Sequence, residues 1–404
     1  MRIGNQIVTA PADHNANIKP KEQWVWADRL FTGKAQTPLE NHIVEITHGV
    51  ISAIKPATDE DAKRELRRFP IIAPGFIDLQ INGAGGVMFN DEPDTATINQ
   101  MAMSATVGGS CHILPTFITA HGNAYEQALR AVDECDCANV LGLHLEGPFL
   151  SSQRPGIHPV DAIRDMTKKD VDVLVDHLTA KMTPHNKRLI LTIAPEQVDP
   201  LLLDRLIMAG VIVFAGHSNA STTQMIKATD QGVSGITHLF NACSQITARA
   251  PGIVGTALTD PRLSAGIIAD GFHVAPRLLK LAAQLMTDRL CLVSDTMPTF
   301  ASDLTGFRVG ENKISLLDGR LQAEDGTLAG AHLGLDQAVA NMCTLAGVSL
   351  ADALNMASGV PAKILGMTDL YGQIDVGRPA SLTCLAENLT CLDVFVHGKQ
   401  QRKN

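Results

Sequence analysis

Along this chain the apolar residues fall into short β-rich runs separated by stretches of helical period, and segments alternating with a period of two flank them at both ends. Near the start, Trp24-Val-Trp-Ala-Asp-Arg-Leu-Phe31 and His42-Ile-Val-Glu-Ile-Thr-His-Gly-Val-Ile-Ser-Ala-Ile54 alternate as strands, the second broken by a His-Gly turn. Near the end, Gly372-Gln-Ile-Asp-Val-Gly-Arg-Pro-Ala-Ser-Leu-Thr-Cys-Leu385 and Leu392-Asp-Val-Phe-Val-His-Gly-Lys-Gln400 do the same. Residues 24–72 and 373–404 together predict one small β domain of sandwich type. Residues 1–23 are a polar extension that carries little information.

Between these ends the apolar runs lie at 71–81, 112–117, 140–145, 189–194, 211–215, 235–238, 265–269 and 290–294. Gaps such as Thr222-Thr-Gln-Met-Ile-Lys-Ala-Thr-Asp-Gln-Gly232 begin near Ser or Thr and end on Gly, as helices do. Strands alternating with helices predict a parallel sheet, and eight such units predict an α/β fold of the (β/α)8 TIM-barrel type over 73–372. The repeat is interrupted at about 307–328, where Lys313-Ile-Ser-Leu-Leu-Asp-Gly-Arg-Leu-Gln322 predicts a β-hairpin inserted after the eighth strand. A last helix is predicted over 335–345.

Composition agrees with this picture. At 404 residues the chain exceeds the usual single core of about 250–300 residues, so a large domain with a small one is expected. With 45% hydrophobic, 19% charged and 4% aromatic residues and a net charge of −9, it does not predict a nucleic-acid-binding surface. No apolar run approaches the ~18 residues of a membrane span, and the first residues lack a signal-peptide pattern, so a cytoplasmic protein is expected. The eight cysteines are scattered, and Cys135-Asp-Cys137 has the wrong spacing for a zinc knuckle. They are read as reduced thiols, Cys243 among them as a small buried hydrophobe beside a motif.

The chemistry lies where the runs stop. Glu146 closes Gly142-Leu-His-Leu-Glu-Gly-Pro148, His217 closes the run from Val211, His238 closes Gly235-Ile-Thr-His238, and Asp295 closes Leu290-Cys-Leu-Val-Ser-Asp295. A turn residue follows each within three positions, so each sits at a strand end, where barrel active sites assemble. One carboxylate with two imidazoles is a catalytic zinc set with an open position for water. It would also accept Fe²⁺, Co²⁺ or Mn²⁺. Asp295 is the candidate acid/base group. His144 shares the strand face of Glu146 two residues away and is read as a partner behind the ligands. Gln80 and Asn82 occupy the first-strand positions where many metal-dependent barrels carry His-x-His. Amides are poor zinc ligands, so one divalent metal per subunit is expected.

Five linked motifs carry a more specific likeness: Pro74-Gly-Phe-Ile-Asp-Leu-Gln-Ile-Asn-Gly-Ala-Gly-Gly86, His144-Leu-Glu-Gly-Pro-Phe149, Ala215-Gly-His-Ser-Asn-Ala220, Thr237-His-Leu-Phe-Asn-Ala242 and Asp270-Gly-Phe-His-Val274. From Trp24 onward the chain resembles the N-acetylglucosamine-6-phosphate deacetylase family of the amidohydrolase superfamily. The resemblance implies hydrolysis of the acetamide of N-acetylglucosamine 6-phosphate, in amino-sugar catabolism or cell-wall recycling. It implies metal ligation by Glu146, His217 and His238, proton transfer by Asp295, and carbonyl polarisation by His158 with the Ile157 backbone beside the sugar. It further implies substrate contacts from Asn241 and Ala242, and phosphate-side roles for Arg249 and His273. A homodimer follows, with Arg249 reaching the neighbouring subunit's site, and 328–330 (Leu328, Ala329, Gly330) closing over the substrate.

The chain departs from the family pattern at Cys243-Ser244, at Met297-Pro-Thr-Phe300 and at Ala380-Ser381. Three alternatives accompany the resemblance: an N-acetylgalactosamine-6-phosphate deacetylase, a cyclic-amide hydrolase, and a non-catalytic oligomeric barrel. The Gln80-Ile-Asn82 sequence speaks against the second, and the intact ligand set speaks against the third.

Overall fold

The computed structural model describes residues 22–402, so residues 1–21 of the expected extension lie outside the described residues. Eight parallel strands form the central sheet, in the order of the chain: Phe76–Ile81, Ser110–Ile118, Gly142–Glu146, Arg188–Ile193, Ile212–Ala215, Gly235–Ile236, Ser264–Ile267 and Leu290–Leu292. Closure comes just past the strand ends, where Asp295 N donates to Gln80 O at 2.9 Å and Asn82 N donates to Thr296 O at 3.0 Å. Each strand is followed by a helix, from Thr95–Ala105 after the first to Leu335–Ala346 after the eighth. The expected helix at 222–232 is Thr222–Gln231, begun by a capping box between Ser221 and Gln224. Two short helices not expected from the pattern, Leu350–Ala357 and Gly359–Ile364, complete the barrel's outer layer.

The run at 71–81, expected as one strand, is two. Arg67–Pro74 pairs in parallel with Glu22–Leu30 and antiparallel with Leu382–Leu385, whereas Phe76–Ile81 pairs with Ser110–Ile118. Gly75 separates them, and a Cβ there would stand 2.6 Å from Cys111 Sγ, so no side chain fits at the crossing. Continuous apolarity hid the break, because both strands are buried on both faces.

Both chain ends do build one small β domain. Its seven strands form a single sheet, which curls until residues 49–51 at one edge bond to 377–380. Val25, Leu30, Val44, Ile72, Leu382 and Phe395 fill its interior. The insertion after the eighth strand is a three-stranded antiparallel sheet, Gly306–Val309, Asn312–Leu317 and Arg320–Ala323, one strand more than the expected hairpin. Its Val309, Ile314 and Leu321 pack on Met88, Ile118 and Met297 at the barrel mouth. Among the described residues no helix is long and apolar enough to cross a membrane.

Candidate active site

The barrel strands deliver the predicted polar groups to one place. Glu146 is the last residue of the third strand. His217, His238 and Asp295 lie two or three residues beyond the fifth, sixth and eighth strands, each with a left-handed backbone, at φ 45°, 32° and 48°. That conformation ends the strand and turns the side chain toward the barrel axis, at a cost of about 1–3 kcal/mol per residue. Such strain persists only where packing enforces it, and all four side chains are buried.

Glu146 Oε1 lies 2.9 Å from His217 Nε2 and 2.8 Å from His238 Nε2, and the two ring nitrogens are 3.0 Å apart. His217 Nδ1 faces the Arg154 carbonyl at 2.9 Å, which can only accept, so the ring proton belongs on Nδ1 and Nε2 presents a lone pair. His238 Nδ1 is buried and has no partner among the described residues. One carboxylate and two imidazole nitrogens converging in a buried pocket fit a divalent cation, and the outer bond of His217 is of the kind that orients metal-bound histidines. Glu146, His158 and His217 also offer ligand atoms within 4.8 Å of one another. His158 is the farther neighbour, with Nε2 3.8 Å from Glu146 Oε1. Burial opposes ionisation of Glu146, but the His217 and His238 imidazoles beside it outweigh that and hold its pKa well below the usual carboxylate value.

His144 does not reach the cluster. Its Nδ1 faces Leu79 O at 3.0 Å and its Nε2 faces Thr192 Oγ1 at 2.8 Å, which leaves no lone pair for a metal. Burial pushes its pKa down to about 4, so it is a neutral brace between strands.

Asp295 stands beside the cluster, held by two amides. Gln80 Nε2 donates both to Asp295 Oδ1 and to Glu146 Oε2 at 3.0 Å, and Asn82 Nδ2 donates to the same Asp295 oxygen at 2.7 Å. These two amides fix one oxygen and leave the other for chemistry. Burial, with repulsion from Glu146, pushes the Asp295 pKa up to about 6. A carboxyl whose pKa is raised on folding binds more protons in the native state, so the metal-free protein loses stability as pH rises from about 4 to about 6. Metal-free Asp295→Asn is therefore expected to be more stable than the parent by on the order of 1–3 kcal/mol at pH 7.5 and to lose that advantage at pH 4. Thermal unfolding in chelator at both pH values checks this, and an equal difference at both would exclude an ionised, strained Asp295.

These groups line the floor of a cavity of about 360 Å³. Ile157, His158, Asn241, Ala242, His273, Leu328 and Gly330 of the expected site border it as well. Gly330 is required there, since a Cβ would lie 2.8 Å from the Asp295 carbonyl and 2.6 Å from Met297 Cγ. His273 Nδ1 is anchored by Asp270 Oδ2 at 2.6 Å. Two expected residues are not brought in. Ala329 is buried beneath the inserted sheet, where its N–H donates to Leu321 O, and Arg249 is exposed on the loop after the sixth strand.

The amidohydrolase family profile matches residues 71–400, which is most of the chain. The chain belongs to the amidohydrolase family. Within that family it is similar to an N-acetylgalactosamine-6-phosphate deacetylase of Shewanella sp. (strain ANA-3), 34% identical over 369 residues that cover 89% of this chain and 91% of the relative. It is 32% identical to an N-acetylglucosamine-6-phosphate deacetylase of Haemophilus influenzae, covering 81% of this chain and 86% of that one. Among solved structures, N-acetylglucosamine-6-phosphate deacetylase from Pasteurella multocida superposes with a TM-score of 0.86 at 31% identity, over 93% of this chain and 99% of that chain.

Other residues of this amidohydrolase cavity were not singled out from the sequence. Thr119 Oγ1 lies 2.8 Å from His158 Nδ1, and Gln153 and Arg154 form part of the wall. The signal for Arg154 was present, as an Arg just before the Pro-Gly-Ile-His158 segment. Nothing in a single polar residue such as Thr119 distinguishes it from a loop threonine.

Proposed function

We propose that this amidohydrolase-family chain hydrolyses the acetamide of N-acetylglucosamine 6-phosphate to glucosamine 6-phosphate and acetate. The observation that carries this reading is the Asp295 carboxyl, pinned on one oxygen beside the convergent Glu146, His217 and His238 in the floor of the cavity. Glu146, His217 and His238 would hold a divalent cation; the hard carboxylate and two imidazoles suit Zn²⁺ best, with Fe²⁺, Co²⁺ or Mn²⁺ as alternatives. When bound, such a cation supplies Lewis acidity toward water and the amide carbonyl.

The chain's own residues supply the proton transfers. Asp295, through its free oxygen, takes a proton from the attacking water and returns it to the amine as the C–N bond breaks. The Thr119 hydroxyl donates to the Glu146 carbonyl at 3.2 Å and lies 2.8 Å from His158 Nδ1, which holds the His158 ring in place. Burial keeps this imidazole neutral, with its pKa well below the ordinary histidine value. With its ring proton on Nε2, His158 would polarise the carbonyl oxygen without adding a full charge to the cavity. Asn241, Ala242 and the Ile157 backbone would place the hexose, while Leu328 and Gly330 exclude water above it.

The active species is proposed to be a cytoplasmic homodimer in which Arg249 reaches the partner's cavity. Phe272 and, along one face of the next helix, Leu278, Leu281 and Leu285 are exposed large apolar residues, a surface suited to burial against a second copy. The test is release of acetate from a panel of acetylated hexosamines, with light scattering on the same preparation to give the subunit count. The glucosamine 6-phosphate derivative is expected to be the best substrate. Preference for the galactosamine epimer would redirect the reading to the sibling activity, and no acetate from any member would end it.

A further inference from the structure

The loop after the third barrel strand is tied down by a chain of bonds outside the metal cluster. Glu196 accepts from Ser218 Oγ at 2.6 Å and from Asn219 N at 2.7 Å. Asn219 in turn donates through Nδ2 to Gln153 Oε1 at 2.9 Å and accepts from Arg154 Nε at 3.0 Å. Arg154 is thus held twice, since its carbonyl also accepts from His217 Nδ1 at 2.9 Å. Only Nε of the guanidinium is engaged. Neither terminal nitrogen has a partner among the described residues, and Arg154 is the one Arg or Lys in the cavity wall.

The bond to Asn219 ties the guanidinium to the loop after the fifth strand, whose Ser218 N donates to Ala242 O at 3.1 Å on the loop after the sixth. There Arg154 is close enough to Cys243 to oppose, in part, the burial that pushes that thiol up to about 12. The neighbouring Ala242 lines the same cavity, and its backbone N–H has no acceptor among the described residues. A phosphate dianion entering a cavity that already holds Glu146 and Asp295 needs a cation facing it from the same subunit or another. Arg249 does not line this chain's own cavity.

We propose that Arg154 binds the 6-phosphate of the substrate within its own subunit, through the two terminal guanidinium nitrogens, beside the Ala242 N–H. This rests on the sugar-phosphate reading above. Asn219 is its positioning residue, fixing the plane of the fork through Nε. The arrangement suits bidentate recognition of phosphate, which Lys cannot reproduce.

The test compares the metal-loaded parent with Arg154→Gln, Arg154→Lys and Asn219→Ala on acetylated hexosamine with and without the 6-phosphate, and by calorimetric titration with glucose 6-phosphate. For Arg154→Gln, KM for the phosphorylated sugar is expected to rise about 10- to 100-fold, the value of a charge-assisted bond, with kcat within about threefold. The ratio of kcat/KM between phosphorylated and plain sugar should fall by the same factor, and glucose 6-phosphate should bind correspondingly more weakly. Arg154→Lys should recover part of the loss, and Asn219→Ala should show a smaller shift confined to the phosphorylated sugar. A parallel fall on both sugars, as from a loop that merely sags, overturns the proposal, and so does an unchanged ratio. A parent that binds glucose 6-phosphate through Arg154 yet releases no acetate would defeat the deacetylase reading alone, whereas a parent that binds no sugar phosphate would defeat both.

Discussion

Asp295→Asn is expected to lower kcat by about 10²- to 10⁴-fold, the contribution of a positioned acid/base group, while leaving metal content and KM near the parent values. The geometry makes the substitution unusually clean. Oδ1 accepts from Asn82 Nδ2 at 2.7 Å and Gln80 Nε2 at 3.0 Å, and an Asn carbonyl oxygen can accept both bonds in the same place. What is lost is the second oxygen's ability to take a proton. The backbone around it is over-determined, with Asp295 N donating to Gln80 O and Ala331 N donating to Asp295 O, so the left-handed turn should survive. Steady-state kinetics with metal analysis decide it. Turnover near the parent's would remove Asp295 from proton transfer, and loss of metal along with turnover would make it a ligand instead.

Chelation should abolish acetate release altogether, and stoichiometric Zn²⁺, Fe²⁺, Co²⁺ or Mn²⁺ should restore it. The stability of the fold should follow. Two imidazole nitrogens face each other at 3.0 Å over one buried carboxylate oxygen, an arrangement that a cation among them would relieve. A cation that binds only the native chain stabilises it by about 4 kcal/mol when present at 1,000 times its Kd, which should raise the melting temperature by several degrees. Glu146→Gln should forfeit most of that rise, because the amide loses the charge that draws the cation. A melting temperature indifferent to chelator, with activity intact, would overturn a metal at this cluster.

Sequence and structure agree most closely where chemistry and hydrophobic pattern coincide. A run too apolar to face water must be an inner strand, and a Glu, His or Asp placed where it stops must sit at the barrel mouth. That logic located Glu146, His217, His238 and Asp295. It failed where pattern carries no information about direction or neighbours. The apolar stretch 71–81 spans the change from one sheet to another, and only Gly75 marks it. His144, two residues inside its run, was expected behind the ligands, but the pattern did not show which groups it would face. In the folded chain His144 spends both nitrogens on Leu79 and Thr192, while His238 has Nε2 on Glu146 and, among the described residues, no partner for Nδ1.

The sequence by itself determined the architecture, since alternating β and helical periods leave few ways to bury so much aliphatic surface, and it determined which strand ends carry Glu146, His217, His238 and Asp295. The tertiary structure alone decided how those groups meet. Left-handed turns at His217, His238 and Asp295 aim them at one point, the Gln80 and Asn82 amides hold Asp295 beside the cluster, and Asn219 holds Arg154 by its Nε in the cavity wall. Each of these depends on contacts between residues tens to hundreds of positions apart, and local periodicity cannot encode them.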